Sequence, residues 1–295
     1  MPATLTPLRY PGGKTKYADL FVDIISKNEL KNSTFVEVFA GGAGAAISLL
    51  LHGQVKSLFL NDMDVSIYSF WKSVKECPAE LVKLIRSTRI SMAEWKRQKA
   101  IYDSKDTNDT LALGFATFYL NRCNHSGILE ARPIGGMKQN SNYSINSRYN
   151  KATSIAKIEM IAKYADSLEI FNLDGINFLK LLKRQYRNRK FLIYFDPPYY
   201  QKGPELYLNY FNHEDHKLLR DGILKCPFPW VLSYDNHDEI LRLYKDNKDC
   251  SLYLNRLRHT ITGNKNAEEL IISKLNLPDY LEELQNNDRR MKKWI

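Results

Sequence analysis

The sequence contains few cysteines, and this excludes several classes of protein. Only four occur in 295 residues, and no two of them have the spacing of a CxxC pair. A disulfide framework or a zinc cluster is therefore not expected, and we predict no metal site and a reducing, cytoplasmic location. The four are Cys77, Cys123, Cys226 and Cys250.

Long apolar runs are also missing. The most apolar stretch, residues 35–51, is interrupted by Glu37 and by glycines, so it is too short and too broken to cross a membrane. The first residues are basic and are not followed by an apolar segment, which is unlike a signal peptide. No internal repeat occurs. These features predict a protein without a membrane partner.

Acidic residues are outnumbered. The chain has 33 Asp and Glu against 43 Lys and Arg, a formal net charge of +10. A positive balance favours a polyanionic partner such as nucleic acid, although many soluble proteins are equally basic.

A glycine-rich turn carries the first functional signal. Residues 39–44 (Phe-Ala-Gly-Gly-Ala-Gly) follow a predicted strand at 35–39 and precede a predicted helix at 45–51. Small residues there let a ligand approach the backbone at a helix N-terminus. Asp62 follows the next predicted strand, where a carboxylate can accept hydrogen bonds from ribose hydroxyls. The pattern predicts a nucleoside cofactor; the spacing departs from the dinucleotide motif and is compatible with S-adenosylmethionine.

The second signal is Asp196-Pro197-Pro198-Tyr199, directly after the apolar run 191–195. Two prolines end the strand and form a rigid corner. The Asp196 carboxylate and the Pro197 carbonyl can then grip both N–H bonds of an exocyclic aromatic amine and turn its lone pair towards a methyl donor. Tyr199 can stack on a base that has left the duplex. The tetrad predicts amine methylation.

The order of these elements predicts an α/β protein with a parallel sheet. Further strands are expected at 55–60, 168–171, 230–234 and 269–273. Residues 71–120 have a helical pattern, and residues 121–149 read as loops or a hairpin. We therefore predict a catalytic domain in two parts, 1–70 and 155–295, interrupted by an insertion at 71–154.

Together these blocks resemble the Dam-like (D12-class) adenine-specific DNA methyltransferases. Residues 8–14 resemble the family's N-terminal cofactor block, 35–44 its glycine motif, Asp62 its ribose-binding acid and 196–199 its catalytic tetrad. The likeness continues through residues 119–122 and 231–236. It implies a Rossmann-like S-adenosylmethionine-dependent sheet with a mainly helical target-recognition insertion. The implied reaction is base-flipping methyl transfer to the 6-amino group of adenine at specific sites in DNA.

The resemblance also assigns site residues. Asp196, Pro197 and Tyr199 would be catalytic, and Asp174 would lie near the adenine ring of the cofactor. Val38 and Tyr10 stand where relatives often have Pro and Trp. The expected cofactor-binding residues are Tyr10, Lys14, Phe39, Gly41, Gly42, Gly44, Asp62, Asp174 and Asp196.

Double-stranded DNA is the expected partner, and the insertion would read it. Residues 121–151 contain five Lys or Arg and one acid, Glu130. By resemblance, His125 would probe the stack beside the flipped base. The expected DNA-binding residues are Arg122, Asn124, His125, Ser126, Arg132 and Lys138.

Other interpretations stay open at this point. An RNA base-amine methyltransferase carries a similar tetrad, and a DNA-binding regulator that has lost catalysis would keep the fold. A cytosine-amine enzyme would more usually have Ser at position 196, and the glycine spacing disfavours a dehydrogenase. The recognition sequence, the oligomeric state and whether a restriction endonuclease accompanies the protein are not determined by the sequence.

Overall fold

The computed structural model describes residues 4–9, 14, 17–200, 211–257 and 267–284. Tyr10, one of the predicted cofactor contacts, lies outside these ranges. The strands are β1 (Thr34–Glu37), β2 (Ser57–Asn61), β3 (Leu168–Phe171), β4 (Phe191–Phe195), β5 (Trp230–Asp235), β6 (Ser251–Leu257), β7 (Ala267–Ser273) and β8 (Glu282–Glu283). The helices are α1 (Tyr17–Lys27), α2 (Gly44–Leu51), α3 (Val65–Glu76), α4 (Pro78–Ser87), α5 (Met92–Ser104), α6 (Thr110–Cys123), α7 (Lys151–Ala162), α8 (Gly175–Gln185), α9 (His213–Leu224) and α10 (Asp238–Tyr244).

The strands form one sheet in the order β3-β2-β1-β4-β5-β7-β6-β8. The first five in this order are mutually parallel. Strands β7, β6 and β8 continue the sheet with antiparallel pairing. The strand order reverses beside β1, and the crevice at such a point, beyond the carboxyl ends of the strands, is where open α/β sheets bind ligands.

Both faces of the sheet are covered, which explains why the central strands β1, β2 and β4 are buried along their whole length. Phe35 and Tyr194 belong to one hydrophobic core, together with α1, α2 and the helices from α3 to α7. Val36 and Ile193, one residue along each strand, belong to a second core with α8, α9 and α10. The result is a three-layer, doubly wound α/β arrangement, which confirms the predicted fold class.

Most predicted elements are present, with small shifts at their ends. Strand β1 ends at Glu37, two residues before the predicted boundary, and residues 230–235 and 267–273 form the strands expected there. Strands β6 and β8 were not predicted.

The insertion is helical as predicted up to Cys123, and residues 121–123 extend α6 beyond the expected boundary. The following segment, up to Tyr149, consists mainly of turns, with a 3-10 turn at His125–Gly127 and an isolated antiparallel bridge between Asn124 and Pro133. Helices α3 to α7 share the core that covers one face of the sheet. The insertion is thus packed on the catalytic sheet, and its limits at 71 and 154 stay a prediction. Among the described residues, no helix is both long and apolar enough to cross a membrane.

Candidate active site

The glycine-rich turn leaves β1 and folds tightly against its neighbours. Gly41 has a positive φ of 44° and Ala43 one of 46°, so the chain reverses sharply before α2 begins. The Gly41 carbonyl accepts a hydrogen bond from Trp71 Nε1 at 2.9 Å, and the Gly42 carbonyl accepts one from the Thr6 hydroxyl. These bonds fix a loop of small residues at the N-terminus of α2, where a ligand can approach the backbone closely.

Asp62 lies directly beyond β2 and faces this loop. Its Oδ2 accepts the Gly41 N–H at 2.8 Å, and its Oδ1 accepts the Asp64 N–H at 2.9 Å. Burial, with a further contribution from Asp64, raises the pKa of the Asp62 carboxyl to about 7. The carboxylate is half-buried, and each oxygen has a second lone pair with which it can accept a ribose hydroxyl. These hydrogen-bond acceptors therefore fit the ribose of a nucleoside cofactor.

Asparagine side chains join three loops at this edge. Asn61 Nδ2 donates to the carbonyls of Val38 and Leu173, each at 2.9 Å, and Asn172 Nδ2 donates to the Asp62 carbonyl at 2.8 Å. The loops after β1, β2 and β3 are thereby held in one rigid cluster. Sequence reasoning did not single out the role of Asn61, although a polar residue at the end of an apolar strand is a usable signal.

Asp174 caps a helix. Its Oδ1 accepts the N–H groups of Ile176 and Asn177 at 3.0 Å each, at the start of α8. Such a cap satisfies backbone donors that a helix leaves unpaired. The predicted contact of Asp174 with a cofactor stays a prediction. Phe39 is half-buried beside this helix, and its ring lies 3.3 Å from the position that a Cβ on Gly175 would occupy.

Asp196 stands beyond the end of β4, at the same edge of the sheet. Its Oδ1 accepts a hydrogen bond from Ser233 Oγ at 2.9 Å and lies 3.3 Å from Lys14 Nζ. Burial raises the pKa of the Asp196 carboxyl to about 6, although Lys14 and Ser233 act in the opposite direction. The side chain is 23% exposed, so a substrate amine can still reach the carboxylate.

Pro197 is buried, and the corner that it begins is tied to β5 through the backbone. The N–H of Tyr200 donates to Asp235 Oδ1 at 3.0 Å. The Tyr199 ring is half-buried, and its hydroxyl donates to Glu269 Oε1 at 2.6 Å and accepts from Lys14 Nζ at 2.7 Å. Tyr199 is thus held by its hydroxyl with its ring beside Asp196.

Three residues of this site were missed by sequence reasoning: Tyr17, Ser233 and Glu269. Lys14 was expected at the cofactor, and the structure brings its ammonium among Asp196, Tyr199 and Glu269. A detectable signal exists for Glu269, because it is a carboxylate directly before the apolar residues Leu270, Ile271 and Ile272 of β7.

The predicted DNA-reading residues separate into exposed and buried groups. His125, Ser126, Arg132 and Lys138 are exposed. Arg122 is half-buried, and burial, assisted by Arg9, lowers its pKa to about 10. Its Nε has no hydrogen-bond partner among the described residues. Arg122 is therefore a partly buried cation beside the exposed loop.

The prediction for Asn124 is wrong. Its side chain is fully buried, donates to the carbonyls of Ile128 and Leu129, and accepts from Trp95 Nε1 at 2.7 Å. Both amide protons and one lone pair of the amide oxygen are occupied inside the protein, and the buried side chain is not accessible to a base edge. Asn124 instead shapes the loop that carries His125 and Ser126.

Comparison with known proteins gives one family. A family model described as D12 class N6 adenine-specific DNA methyltransferase matches residues 10–260. No curated protein matches the chain.

Two solved structures are similar over most of their length. The rRNA methyltransferase aviRa from Streptomyces viridochromogenes is 11% identical, covers 90% of this chain and 86% of its own, and has a TM-score of 0.39. Protein LPL1258 from Legionella pneumophila is 12% identical, with 88% and 86% covered and a TM-score of 0.34.

Proposed function

Because the chain belongs to the D12 class of N6 adenine-specific DNA methyltransferases, we propose that it methylates adenine at specific sites in double-stranded DNA, after flipping the base out of the helix. The observation that carries this proposal is the partly exposed Asp196 carboxylate, held by Ser233 and Lys14 at the edge that also bears the glycine loop. Two acceptors at a rigid corner suit an amine whose lone pair is delocalised into its ring.

The cofactor proposed is S-adenosylmethionine, which supplies an electrophilic methyl group when bound. Asp62 would accept the ribose hydroxyls, and the backbone of Gly41, Gly42 and Gly44 would lie along the ligand with Phe39 at its side. Lys14, Tyr10 and Asp174 are the further proposed contacts. Support comes from the close packing of the glycine loop and from the free acceptor capacity of Asp62.

In the proposed reaction, the Asp196 carboxylate accepts one N–H of the adenine amine and the Pro197 carbonyl accepts the other. The nitrogen would become pyramidal, with its lone pair towards the methyl carbon of the donor. As the N–C bond forms, the C–S bond of S-adenosylmethionine would break, and the amine proton held by Asp196 would pass to this carboxylate. Because the pKa of Asp196 is about 6, the carboxylate is ionised at neutral pH and is a strong acceptor. The Tyr199 ring would stack on the flipped base.

The reaction itself is tested with labelled S-adenosylmethionine and either duplex DNA or RNA, followed by identification of the methylated base. We expect N6-methyladenine in the duplex DNA. Label found only in RNA, or on cytosine, would contradict the proposed substrate.

We further propose that the insertion, residues 71–154, is the target-recognition unit. Four exposed side chains on the loop after α6 would face the duplex, with the half-buried Arg122 beside them near the end of α6. The four are His125, Ser126, Arg132 and Lys138.

Replacement of Arg122 or His125 by Ala should change the preference between the recognition site and a singly substituted site by about tenfold, the effect of one lost base contact. Cofactor affinity should be unchanged. Lys96→Ala, which removes an exposed cation from α5, is the control. If all three variants select sites as the wild type does, the assignment of the loop is incorrect.

A further inference from the structure

Glu269 is a carboxylate buried in the interior of β7, a strand that the proposed mechanism does not use. It is 8% exposed and lies opposite Asp235 of β5 in the antiparallel register. Lys14 Nζ lies 2.9 Å from its Oε2, the Tyr199 hydroxyl donates to its Oε1 at 2.6 Å, and the Tyr17 hydroxyl donates to its Oε2. A carboxylate is rarely buried without partners, and this one has three donors.

Lys14 connects Glu269 to the catalytic carboxylate. Its ammonium is 2.9 Å from Glu269 Oε2, 3.3 Å from Asp196 Oδ1 and 2.7 Å from the Tyr199 hydroxyl. The three N–H donors of an ammonium match these three acceptors. One cation therefore serves two carboxylates, and the trio keeps one excess negative charge.

From this geometry we propose that Glu269 is a positioning residue for methyl transfer. Its carboxylate fixes Lys14 and the Tyr199 ring, and it shares the charge of Lys14 with Asp196, so that β7 controls the protonation of the catalytic carboxylate. The proposal depends on the catalytic role of Asp196 described above.

The other titratable groups around Asp196 are mostly uncharged near neutral pH, so Lys14 and Glu269 have the largest electrostatic effect on it. The four tyrosines that face it have pKa values raised by burial and are uncharged at neutral pH. Burial also raises the pKa of Glu37 to about 8, which leaves that carboxyl mostly protonated at pH 7. Lys14 and Glu269 are thus the two charged groups that act on Asp196 at neutral pH. The titratable groups that face Asp196, from the N-terminal segment, α1, β1, β4, the tetrad, β5 and β7, are Lys14, Tyr17, Glu37, Tyr194, Tyr199, Tyr234 and Glu269.

The sharing predicts opposite effects for the two partners. Loss of the negative charge of Glu269 leaves Lys14 to Asp196 alone, and the Asp196 carboxyl should then ionise at lower pH. Loss of the Lys14 cation removes the attraction but leaves the repulsion, and the carboxyl should then ionise at higher pH. Each displacement should be about 1 pH unit or more, as expected for a charge at this distance. A residue that only supports the fold would not move the two in opposite directions.

The test is the pH dependence of kcat from about pH 5 to about pH 9, at saturating S-adenosylmethionine and duplex DNA. The acid limb of this profile is the range in which kcat falls as the pH is lowered. We expect Glu269→Gln to move the acid limb to lower pH and Lys14→Met to move it to higher pH. The double variant should return the limb towards the wild-type position, because neither charge remains. Glu269→Gln should also lower kcat about tenfold, with the KM for DNA changed less than about twofold, since only the alignment of the reacting groups is disturbed.

Glu268→Gln is the matched control, because it removes the same charge from the next residue of β7 and should leave the profile unchanged. A second readout needs no methyl transfer. The fluorescence of DNA with 2-aminopurine in place of the target adenine should show an altered environment of the flipped base in Glu269→Gln, where a neutral amide replaces the carboxylate that holds the Tyr199 hydroxyl.

Acid limbs that coincide in the wild type, Glu269→Gln and Lys14→Met would overturn the proposal, even if both variants are slow. The wild-type profile separates this outcome from a failure of the proposed function. A wild type that does not methylate DNA refutes the function, whereas an active wild type with unmoved variant limbs refutes only the role of Glu269.

Discussion

Asp62 and Asp196 lie at the same edge of the sheet, but different kinds of donor hold them. Asp62 is held by the backbone N–H groups of Gly41 and Asp64, whereas Asp196 is held by the side chains of Ser233 and Lys14. Backbone donors are fixed by the fold and by the glycine loop. Side-chain donors can be tuned by single substitutions. The proposed cofactor-binding half of the site is thus held rigidly, whereas single substitutions can adjust the charge around the proposed catalytic half.

The largest expected effect comes from removing the adjustable carboxylate. Asp196→Ala should lower kcat by about 1,000-fold or more, because the amine loses the acceptor that aligns its lone pair. Affinity for duplex DNA, measured by fluorescence anisotropy, should stay within a few-fold of the wild type. Undiminished methylation would refute the assigned chemistry.

Removal of the backbone-held carboxylate should act on binding and leave the chemistry intact. Asp62→Ala should weaken S-adenosylmethionine binding by about 10- to 100-fold, the equivalent of two lost charge-assisted hydrogen bonds that are partly replaced by water. At saturating cofactor, kcat should recover to within a few-fold. Isothermal titration calorimetry gives the affinity for S-adenosylmethionine, and steady-state kinetics gives kcat. A fall in kcat with unchanged cofactor affinity would show that Asp62 acts in the reaction and not in cofactor binding.

The two carboxyl groups should also titrate separately. Burial raises the pKa of Asp62 to about 7 and that of Asp196 to about 6. Protonation removes an acceptor, so cofactor affinity should fall as the pH drops through about 7, approaching tenfold per pH unit below it. The acid limb of kcat should appear about one unit lower. A cofactor dissociation constant that is flat between about pH 8 and about pH 6 would rule out Asp62 as the ribose acceptor.

The smallest effect tests the tuning of Asp196 by a neutral donor. Ser233→Ala removes one hydrogen bond to the ionised carboxylate, so kcat should fall about fivefold and the acid limb should move slightly to higher pH. Cofactor affinity should not change, because Ser233 does not contact Asp62. An equal loss of cofactor affinity would show that the two halves of the site are coupled.

Much of the sheet and both functional motifs could be predicted from the sequence. Strands β1, β2 and β4 are buried and mostly apolar, and a glycine, an acid or a proline follows each of them within a few residues. Such residues mark strand ends in a buried parallel sheet. Strand β6 alternates apolar and polar residues and was missed. Its partner β7 was found only through the apolar run 269–273.

The finer arrangement of the site depends on contacts between distant segments. Nothing local distinguishes Ser233 from any other serine in a strand, and its contact with Asp196 arises because β4 and β5 are neighbours. For Asn124 the opposite holds, because the local sequence indicates a function that the contacts in the structure do not support. A polar residue beside basic side chains looks like a DNA contact, but the amide of Asn124 is hydrogen-bonded to Trp95, Ile128 and Leu129.

The ion pair between Lys14 and Glu269 joins residues that are 255 positions apart in the chain. At a synthesis rate of about 5 to 20 residues per second, roughly 10 to 50 s pass on the ribosome between the two. Strands β1 to β5 can pair during this interval, but the carboxylate that anchors Lys14 and Tyr199 has yet to be made. A nascent chain would therefore acquire the five parallel strands of its sheet before its full catalytic competence, and methylation would begin only after β7 has left the ribosome and inserted beside β5.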